Sequence, residues 1–215
     1  MVGFSCLFCI TDMRLFNFLK PRRSSIDWFA SDKQFNKLYP SHIAKLSRPH
    51  WTPMAVAKAA SAFLAEPGKK ILDIGSGAGK FCLISAALHK ETFFYGIEQR
   101  MNLFHFAKEA QDKLQLNNVR FIHGNITETD FTQFDHFYFY NSFYENLPIA
   151  DKIDNDIAFS QKQFDHYTTH LFNELDKLKP GTKLVTYHAH REQVPASYNL
   201  LKQELEKRLE YWIKQ

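Results

Sequence analysis

The segment that most constrains the fold is a short apolar run followed by three glycines at alternate positions. It reads Lys70-Ile-Leu-Asp-Ile-Gly-Ser-Gly-Ala-Gly-Lys80. The apolar run ending at Asp73 predicts a parallel strand buried on both faces, and Gly75, Gly77 and Gly79 allow the next turn to bring backbone N–H groups against a ligand. The first N–H groups of the helix that follows are also unpaired. The segment therefore predicts a strand, a ligand-binding loop and a helix.

The remainder of the chain alternates between strand and helix patterns. Such alternation predicts a doubly wound α/β fold with a mostly parallel sheet of about seven strands. A length of 215 residues suits one such domain with a modest extension. The tail 198–215 fits either a helix or strands, and we favour a strand at its very end. The patterns predict strands at 70–73, 93–97, 119–123, 136–140 and 183–187, and helices at 80–88, 103–114 and 164–178.

The chain divides into an N-terminal tail with a helical extension, residues 1–50, and a main domain, residues 51–215. A linker-like segment, Lys20-Pro-Arg-Arg-Ser-Ser25, separates the tail from the extension. At the start of the main domain, Thr52 is the predicted N-cap of a helix with Pro53 at its first position.

The cysteines and histidines give little support for a metal site. Three cysteines make no paired disulfide framework, which favours a reducing compartment and a cytoplasmic location. Cys6 and Cys9 form a C-x-x-C pair without a second pair or a nearby histidine. His188 and His190 alternate at the end of the fifth predicted strand, which could suggest a metal pair or a general base. Because a third ligand is missing, we predict no metal site.

Targeting and charge patterns are weak. The apolar residues 1–10 are too short to span a bilayer and lack the basic start of a secretory signal. The formal net charge of +4 is a slight indication of acidic partners. Beyond residues 20–23 the chain has no dense basic run and no evident basic face with interleaved aromatics. We therefore expect no membrane span and favour a protein or a small molecule over nucleic acid as the partner.

The glycine spacing distinguishes between two kinds of nucleotide site. The dinucleotide fingerprint G-x-G-x-x-G would require a glycine at Lys80. The observed Asp73-x-Gly75-x-Gly77-x-Gly79 instead resembles the first motif of class I (Rossmann-like) S-adenosylmethionine-dependent methyltransferases. The resemblance implies that this loop, with Ser76, wraps the methionine part of S-adenosylmethionine. It also implies that the last two strands form an antiparallel hairpin.

Two further positions match the adenosine side of such a site. Glu98 ends the second predicted strand and is followed by Gln99, and an acid at this place can accept bonds from both ribose hydroxyls. Asn125 and Ile126 follow the third strand, where the family usually has a Gly-Asp pair that meets the adenine amino group, with an apolar neighbour on the ring. Asn125 departs from that pattern. Its amide oxygen can still accept one hydrogen bond, but the negative charge of the aspartate is lost.

The acceptor side is predicted at the end of the fourth strand, in the segment Phe139–Asn146. Ligands of open α/β sheets bind at that edge. The segment resembles the Asn-Pro-Pro-Tyr motif of amino-group methyltransferases, with Ser142 and Phe143 in place of the prolines. It is about equally similar to the Asn-Asn-Phe segment of histone lysine methyltransferases that lack a SET domain. The resemblance implies that Asn141 accepts hydrogen bonds from the target nitrogen and that Tyr144 lines the methyl path.

The function expected from these features is S-adenosylmethionine-dependent N-methylation of an amino group, with a protein lysine as one candidate acceptor. Two alternatives remain open at this stage. A catalytically inactive, methyltransferase-like binding module would keep the glycine loop. An NAD-dependent oxidoreductase would share the strand, the loop and the acid at Glu98. The sequence does not determine the oligomeric state.

Overall fold

Seven strands form one mostly parallel sheet. The computed structural model describes residues 26–154 and 157–215, so Cys6, Cys9 and the linker at 20–25 lie outside the described residues. The strands are β1 Lys70–Ile74, β2 Phe93–Glu98, β3 Val119–His123, β4 His136–Phe139, β5 Lys183–Tyr187, β6 Tyr198–Glu204 and β7 Leu209–Lys214. Their order in the sheet is β3-β2-β1-β4-β5-β7-β6. β7 runs antiparallel to both of its neighbours, β5 and β6, and the other neighbouring strands pair in parallel.

Helices cover both faces of the sheet, as the predicted doubly wound fold requires. The helices are α1 Asp32–Phe35, α2 Ser41–Ala44, α3 Ser47–His50, α4 Met54–Leu64, α5 Lys80–Leu88, α6 Met101–Leu114 and α7 Gln161–Asp176. One buried cluster joins the sheet to α4, α5, α6 and the N-terminal helices. A second cluster joins the other face to α7. Within the described ranges no helix has the length and apolar character needed to cross a membrane.

The C-terminal tail forms two strands, so the favoured strand at its end is confirmed and the helical alternative is wrong. In a helix, Leu201 and Leu205 would share the apolar stripe with Leu209 and Trp212. Instead Leu201 and Leu205 are exposed, whereas Leu209 and Trp212 are buried. The reason is the position of β7, which lies between β5 and β6 and pairs with both of them.

The start of α4 differs from the prediction. Pro53 is the N-cap residue and Met54 is the first helical residue. The Thr52 hydroxyl makes no cap and instead bonds the Tyr138 hydroxyl at 3.0 Å. The first N–H group of the helix, that of Met54, donates to Asp32 Oδ1 at 3.0 Å. A carboxylate from α1 thus replaces the predicted Thr52 cap and fastens the N-terminal helices to the main domain.

The glycine loop packs between Ser142, in the turn after β4, and Phe121 of β3. Gly75 has φ +73°, and a Cβ atom there would lie 2.4 Å from the Cβ of Ser142. Gly79 has φ +84°, and its Cβ would lie 2.4 Å from Cζ of Phe121. A side chain at either position would therefore meet both an unfavourable backbone conformation and a steric clash. These contacts fix the loop against the turn after β4 on one side and against β3 on the other.

Asp73 lies under the loop in an apolar environment. Its side chain is 4% exposed, and the Cys82 thiol of α5 approaches its Oδ2 atom at 3.6 Å. Burial raises the pKa of Asp73 to about 8, with a smaller opposing effect of the Cys82 hydrogen bond and a further increase from the negative charge of Glu98. An unfolded aspartate has a pKa near 3.9. The folded protein therefore holds a proton at Asp73 that the unfolded chain has lost between about pH 4 and pH 8.

This difference predicts a pH dependence of stability. Because the native state binds more protons in that window, its free energy of unfolding falls as pH rises, with a slope of up to about 1.4 kcal/mol per pH unit from this group. Asp73→Asn cannot ionise, so the stability of the variant relative to the natural protein should increase from pH 5 to pH 8 and then level off. Urea denaturation at several pH values measures this difference.

Asp130→Asn is the matched control. The hydrogen bonds from Thr132 lower the pKa of Asp130 below its usual value, so this carboxyl titrates below the same window. Its substitution should change stability by a constant amount between pH 5 and pH 8. A constant difference for Asp73→Asn over that range would contradict a protonated Asp73.

Candidate active site

A cavity of about 530 Å³ opens at the carboxyl ends of the parallel strands. Its volume is in the range of pockets that hold cofactors and small ligands. Gly79 alone among the predicted site residues does not line it, because that residue packs against Phe121 and Ala107 instead. The predicted residues that line the cavity are Asp73, Gly75, Ser76, Gly77, Glu98, Gln99, Asn125, Ile126, Asn141 and Tyr144.

Glu98 connects the end of β2 to the glycine loop. Its Oε2 atom accepts a hydrogen bond from the Gly77 N–H at 2.9 Å, and its Oε1 atom accepts one from the Arg100 N–H at 2.8 Å. The residue is 6% exposed. Burial raises its pKa, while these two N–H groups and the charge of Arg100 act in the opposite direction. The carboxylate holds the loop and still has unused lone pairs toward the cavity.

Arg100 extends this connection to the segment after β4. The guanidinium is buried, with Nη2 at 2.5 Å from Oε2 of Glu145 and Nε at 3.1 Å from both carboxylate oxygens of Asp154. Arg100 and Glu145 both line the cavity. Sequence reasoning did not identify Arg100, because its partners are 45 and 54 residues further along the chain. This ion network joins the β2 end to the loop that carries the predicted acceptor residues.

Asn125 uses its amide within the protein. The Oδ1 atom accepts from the Thr127 N–H at 3.0 Å and from the Thr127 hydroxyl at 2.9 Å, which caps a short 3-10 turn. The Nδ2 group donates to the Tyr167 hydroxyl at 2.9 Å. Both lone pairs of the oxygen are thus occupied, so an adenine bond to this oxygen would require the amide to turn. Its predicted role toward adenine stays a prediction.

Asn141 sits in a strained turn at the end of β4. Its φ is +32°, and its carbonyl oxygen accepts from the Tyr144 N–H at 3.0 Å. A non-glycine residue in this conformation costs energy and commonly marks a functional position. The Ser142 hydroxyl donates to the carbonyl of Ile74 at 2.5 Å, which draws the turn onto the glycine loop. Tyr144 is 38% exposed at the cavity.

Unpaired polar atoms indicate that the cavity suits a polar ligand. Trp51 Nε1, Ser76 Oγ and Asn141 Oδ1 are buried and have no hydrogen-bond partner among the described residues. All three residues line the cavity. A buried polar group without a partner costs about 1–3 kcal/mol, so such groups are normally satisfied. A ligand with donors and acceptors at several positions would satisfy them.

The N-terminal helices form one wall of the cavity. Pro49, His50, Trp51 and Thr52 line it from this side, and the sequence pattern had indicated only a helix cap at Thr52. The wall is attached to the glycine-loop region by two contacts. The Tyr39 hydroxyl donates to the carbonyl of Ala78 at 2.8 Å, and buried Lys80 forms an ion pair with Asp32.

His188 and His190 also line the cavity, at the end of β5. His188 has φ +53°, and its ring lies 5.8 Å from the ring of Tyr140. Burial lowers the pKa of His188, and the charge of Arg208 lowers it further. Across the described parts of the chain, no group of three or more His, Cys, Asp or Glu side chains is placed to hold a metal ion.

Curated relatives share one segment with this chain. The tRNA (guanine-N(7)-)-methyltransferase of Thermosynechococcus vestitus is 44% identical over 54 residues, 25% of each chain. The enzyme of the same name from Synechocystis is 42% identical over 55 residues, 26% of each chain. The match thus spans about a quarter of the length of these relatives. The preference for a protein or small-molecule acceptor over nucleic acid is wrong, because these relatives are tRNA methyltransferases.

Solved structures share the fold. An RNA methyltransferase from Salinibacter ruber, solved in complex with S-adenosyl-L-homocysteine, has a TM-score of 0.52 at 20% identity, covering 76% of this chain and 92% of that one. A SAM-dependent methyltransferase from Aquifex aeolicus has a TM-score of 0.51 at 18% identity, covering 86% and 99%.

The family model described as "Methyltransferase domain" matches residues 65–212, which is more than half of the chain and includes nearly the whole sheet. This match excludes the alternative of an NAD-dependent oxidoreductase. It also favours an enzyme over an inactive binding module. The chain belongs to the class I S-adenosylmethionine-dependent methyltransferases.

Proposed function

We propose that this methyltransferase transfers the methyl group to a nitrogen atom of a base in RNA. The observation that carries the proposal is the 44% identity over 54 residues to a tRNA (guanine-N(7)-)-methyltransferase. Three further relatives with the same name match at 42–44% identity. The expected N-methylation is kept in this proposal, and the acceptor is a nucleic-acid base in place of a lysine side chain.

The cofactor half of the site follows from the glycine loop and the β2 end. S-adenosylmethionine, when bound, supplies a methyl group on a sulfonium that an acceptor can displace in line. We assign the methionine part to the loop of Asp73 and Gly75 to Gly79, the ribose to Glu98 and Gln99, and the adenine to Asn125 and Ile126. The position of the loop supports this assignment, because Gly75, Ser76 and Gly77 all line the cavity.

The acceptor half centres on Asn141. Its amide can accept a bond from an exocyclic amino group, or it can donate to a carbonyl such as guanine O6 beside a ring nitrogen. Either bond would orient a nitrogen lone pair toward the methyl group, so the rate enhancement would come mainly from positioning. The buried, unpaired Oδ1 atom and the strained turn both support this role.

Aromatic walls favour a planar acceptor over an aliphatic amine. Trp51, Tyr140, Phe143 and Tyr144 all line the cavity. Base–aromatic stacking contributes about 1–3 kcal/mol per base and tolerates any base. An enzyme that acts on a base must first take that base out of its stack, and such walls would offset part of that cost. Tyr144, partly exposed beside Asn141, is our candidate for the residue along the methyl path.

A labelling experiment tests the acceptor class. The protein is incubated with methyl-labelled S-adenosylmethionine and a total cell extract, and the label is followed through ribonuclease and protease digestion. We expect the label in material that ribonuclease destroys and protease leaves intact. Digestion of that RNA to nucleosides should then yield an N-methylated base.

The same experiment can also contradict the proposal. Label that protease removes and ribonuclease does not would assign a protein acceptor, and label confined to small molecules would assign a metabolite. Either result would overturn the proposal of an RNA acceptor. The nucleoside product also distinguishes methylation at guanine N7 from methylation of an exocyclic amino group.

Substitutions at Asn141 separate positioning from binding. Asn141→Ala should lower kcat by about a hundredfold while changing the Kd for S-adenosylhomocysteine by less than about threefold, because the amide would act in the transition state. Asn141→Gly is the matched control, since glycine accepts φ +32° without strain but also lacks the amide. The two variants should lose similar activity. Recovery of turnover in Asn141→Gly would mean that turnover depends on the backbone conformation at this position and not on the side-chain amide.

Glu98→Gln should weaken cofactor binding, in contrast to the substitutions at Asn141. The side-chain oxygen of the introduced glutamine can serve only one of the two N–H donors, and its NH₂ group would face the other. We expect cofactor binding to weaken by about tenfold to a hundredfold, because a charge-assisted hydrogen bond contributes about 1.5–3 kcal/mol. Isothermal calorimetry with S-adenosylhomocysteine measures the effect. An unchanged Kd would remove Glu98 from the cofactor site.

A further inference from the structure

The segment between Asp32 and Glu66 contains no acidic residue. It carries five basic residues, so its formal charge is +5 while that of the whole chain is +4. Residues 66–215, which include nearly all of the family match, have 18 Lys and Arg against 20 Asp and Glu, a net charge of −2. The excess of positive charge therefore lies outside the sheet domain. The basic residues of the segment are Lys33, Lys37, Lys45, Arg48 and Lys58.

The structure places the basic residues of the N-terminal helices on the surface. Lys33, Lys37, Lys45 and Arg48 are all exposed. In the described part of the chain none of these four forms an ion pair, and the Nζ atom of Lys37 bonds only the neutral Gln34 side chain, at 2.9 Å. We call the exposed surface of these four residues the basic layer.

The basic layer is held in place by specific contacts. The Asn36 amide donates to the Ser47 hydroxyl at 2.7 Å, which joins the turn next to Lys37 to the helix that carries Arg48. From α6, the Lys113 ammonium donates to the carbonyl of Leu38 at 2.9 Å. The positive groups are therefore presented on an ordered support, which lowers the entropy cost when they bind a partner.

The basic layer adjoins the active-site cavity at Arg48. Arg48 is followed by Pro49, His50, Trp51 and Thr52, all of which line the cavity. The Tyr140 hydroxyl, at the end of β4, lies 3.4 Å from the carbonyl of Pro49. A polyanion on the basic layer would thus pass beside the cavity wall that the N-terminal helices form.

We propose that the basic layer binds the sugar-phosphate backbone of the RNA next to the base that is methylated. This inference rests on the proposed RNA acceptor and adds the surface that holds the RNA. Phosphate contacts position a nucleic acid without reading its sequence, and their strength depends on salt because binding releases counterions. The weakly acidic sheet domain would contribute the pocket for the base, and the N-terminal helices would contribute the affinity.

The test measures RNA binding directly. Lys45→Gln with Arg48→Gln, and separately Lys33→Gln with Lys37→Gln, are compared with Lys70→Gln with Lys90→Gln. Lys70 and Lys90 are exposed at the amino ends of β1 and β2, the opposite edge of the sheet, so this control changes the net charge equally. The Kd for a labelled tRNA pool is measured by fluorescence anisotropy between about 50 and 200 mM salt, the range over which phosphate contacts change affinity most.

We expect each basic-layer pair to weaken RNA binding by roughly tenfold at about 100 mM salt and to reduce the salt slope by about 0.7–0.9 for each phosphate that is no longer neutralised. The control pair should retain the natural Kd and slope. All variants should retain the Kd for S-adenosylhomocysteine, which verifies that the site is folded.

Three results would overturn the inference. The first is that the basic-layer variants bind RNA as tightly as the natural protein. The second is an equal loss of RNA affinity in the control pair, which would indicate a general charge effect. RNA that is labelled normally while the basic layer has no effect would leave the proposed function standing and remove only this surface. A natural protein that neither binds nor methylates RNA would overturn both proposals.

Discussion

The carboxylate of Glu98 is the interaction on which the geometry of the site depends. Its two oxygens hold the N–H groups of Gly77 and Arg100, and the Arg100 side chain in turn holds Glu145 and Asp154. One chain of hydrogen bonds and ion pairs therefore runs from the glycine loop to the segment after β4. Because the Arg100 guanidinium is buried, removing one of its carboxylate partners would leave its charge poorly compensated, so the two halves of the cavity are not independent.

A second connection between the halves is steric. The Ser142 hydroxyl bonds the carbonyl of Ile74, and the side chain of Ser142 occupies the space where a Cβ on Gly75 would lie. The residue at position 75 therefore limits the size of the residue at position 142, and the reverse also holds. This explains in physical terms why a serine stands where the related motif has a proline, since the hydroxyl supplies a donor that proline lacks.

Much of the fold, and the presence of the glycine loop and Glu98 at the cavity, could be predicted from local patterns. The strand, glycine loop and Glu98 are close in sequence, and their places in the structure follow from spacing and strand direction. The network around Arg100 could not be predicted, because its partners come from a distant irregular segment. The Thr52 prediction failed for the same reason, since Asp32 from another helix took the place of the cap. The basic layer did leave a sequence signal, the absence of acids from 33 to 65, but the net charge of the whole chain conceals it.

The pairing of Lys80 with Asp32 has a consequence for how such chains can diverge. Lys80 is 4% exposed, and its carboxylate partner belongs to a helix that precedes the family match at residue 65. An ammonium buried without its partner costs several kcal/mol. A lysine at this position is therefore compatible only with an N-terminal extension that brings a carboxylate to it. Relatives that exchange the extension for another would have to change residue 80 at the same time, so the two features should be inherited together.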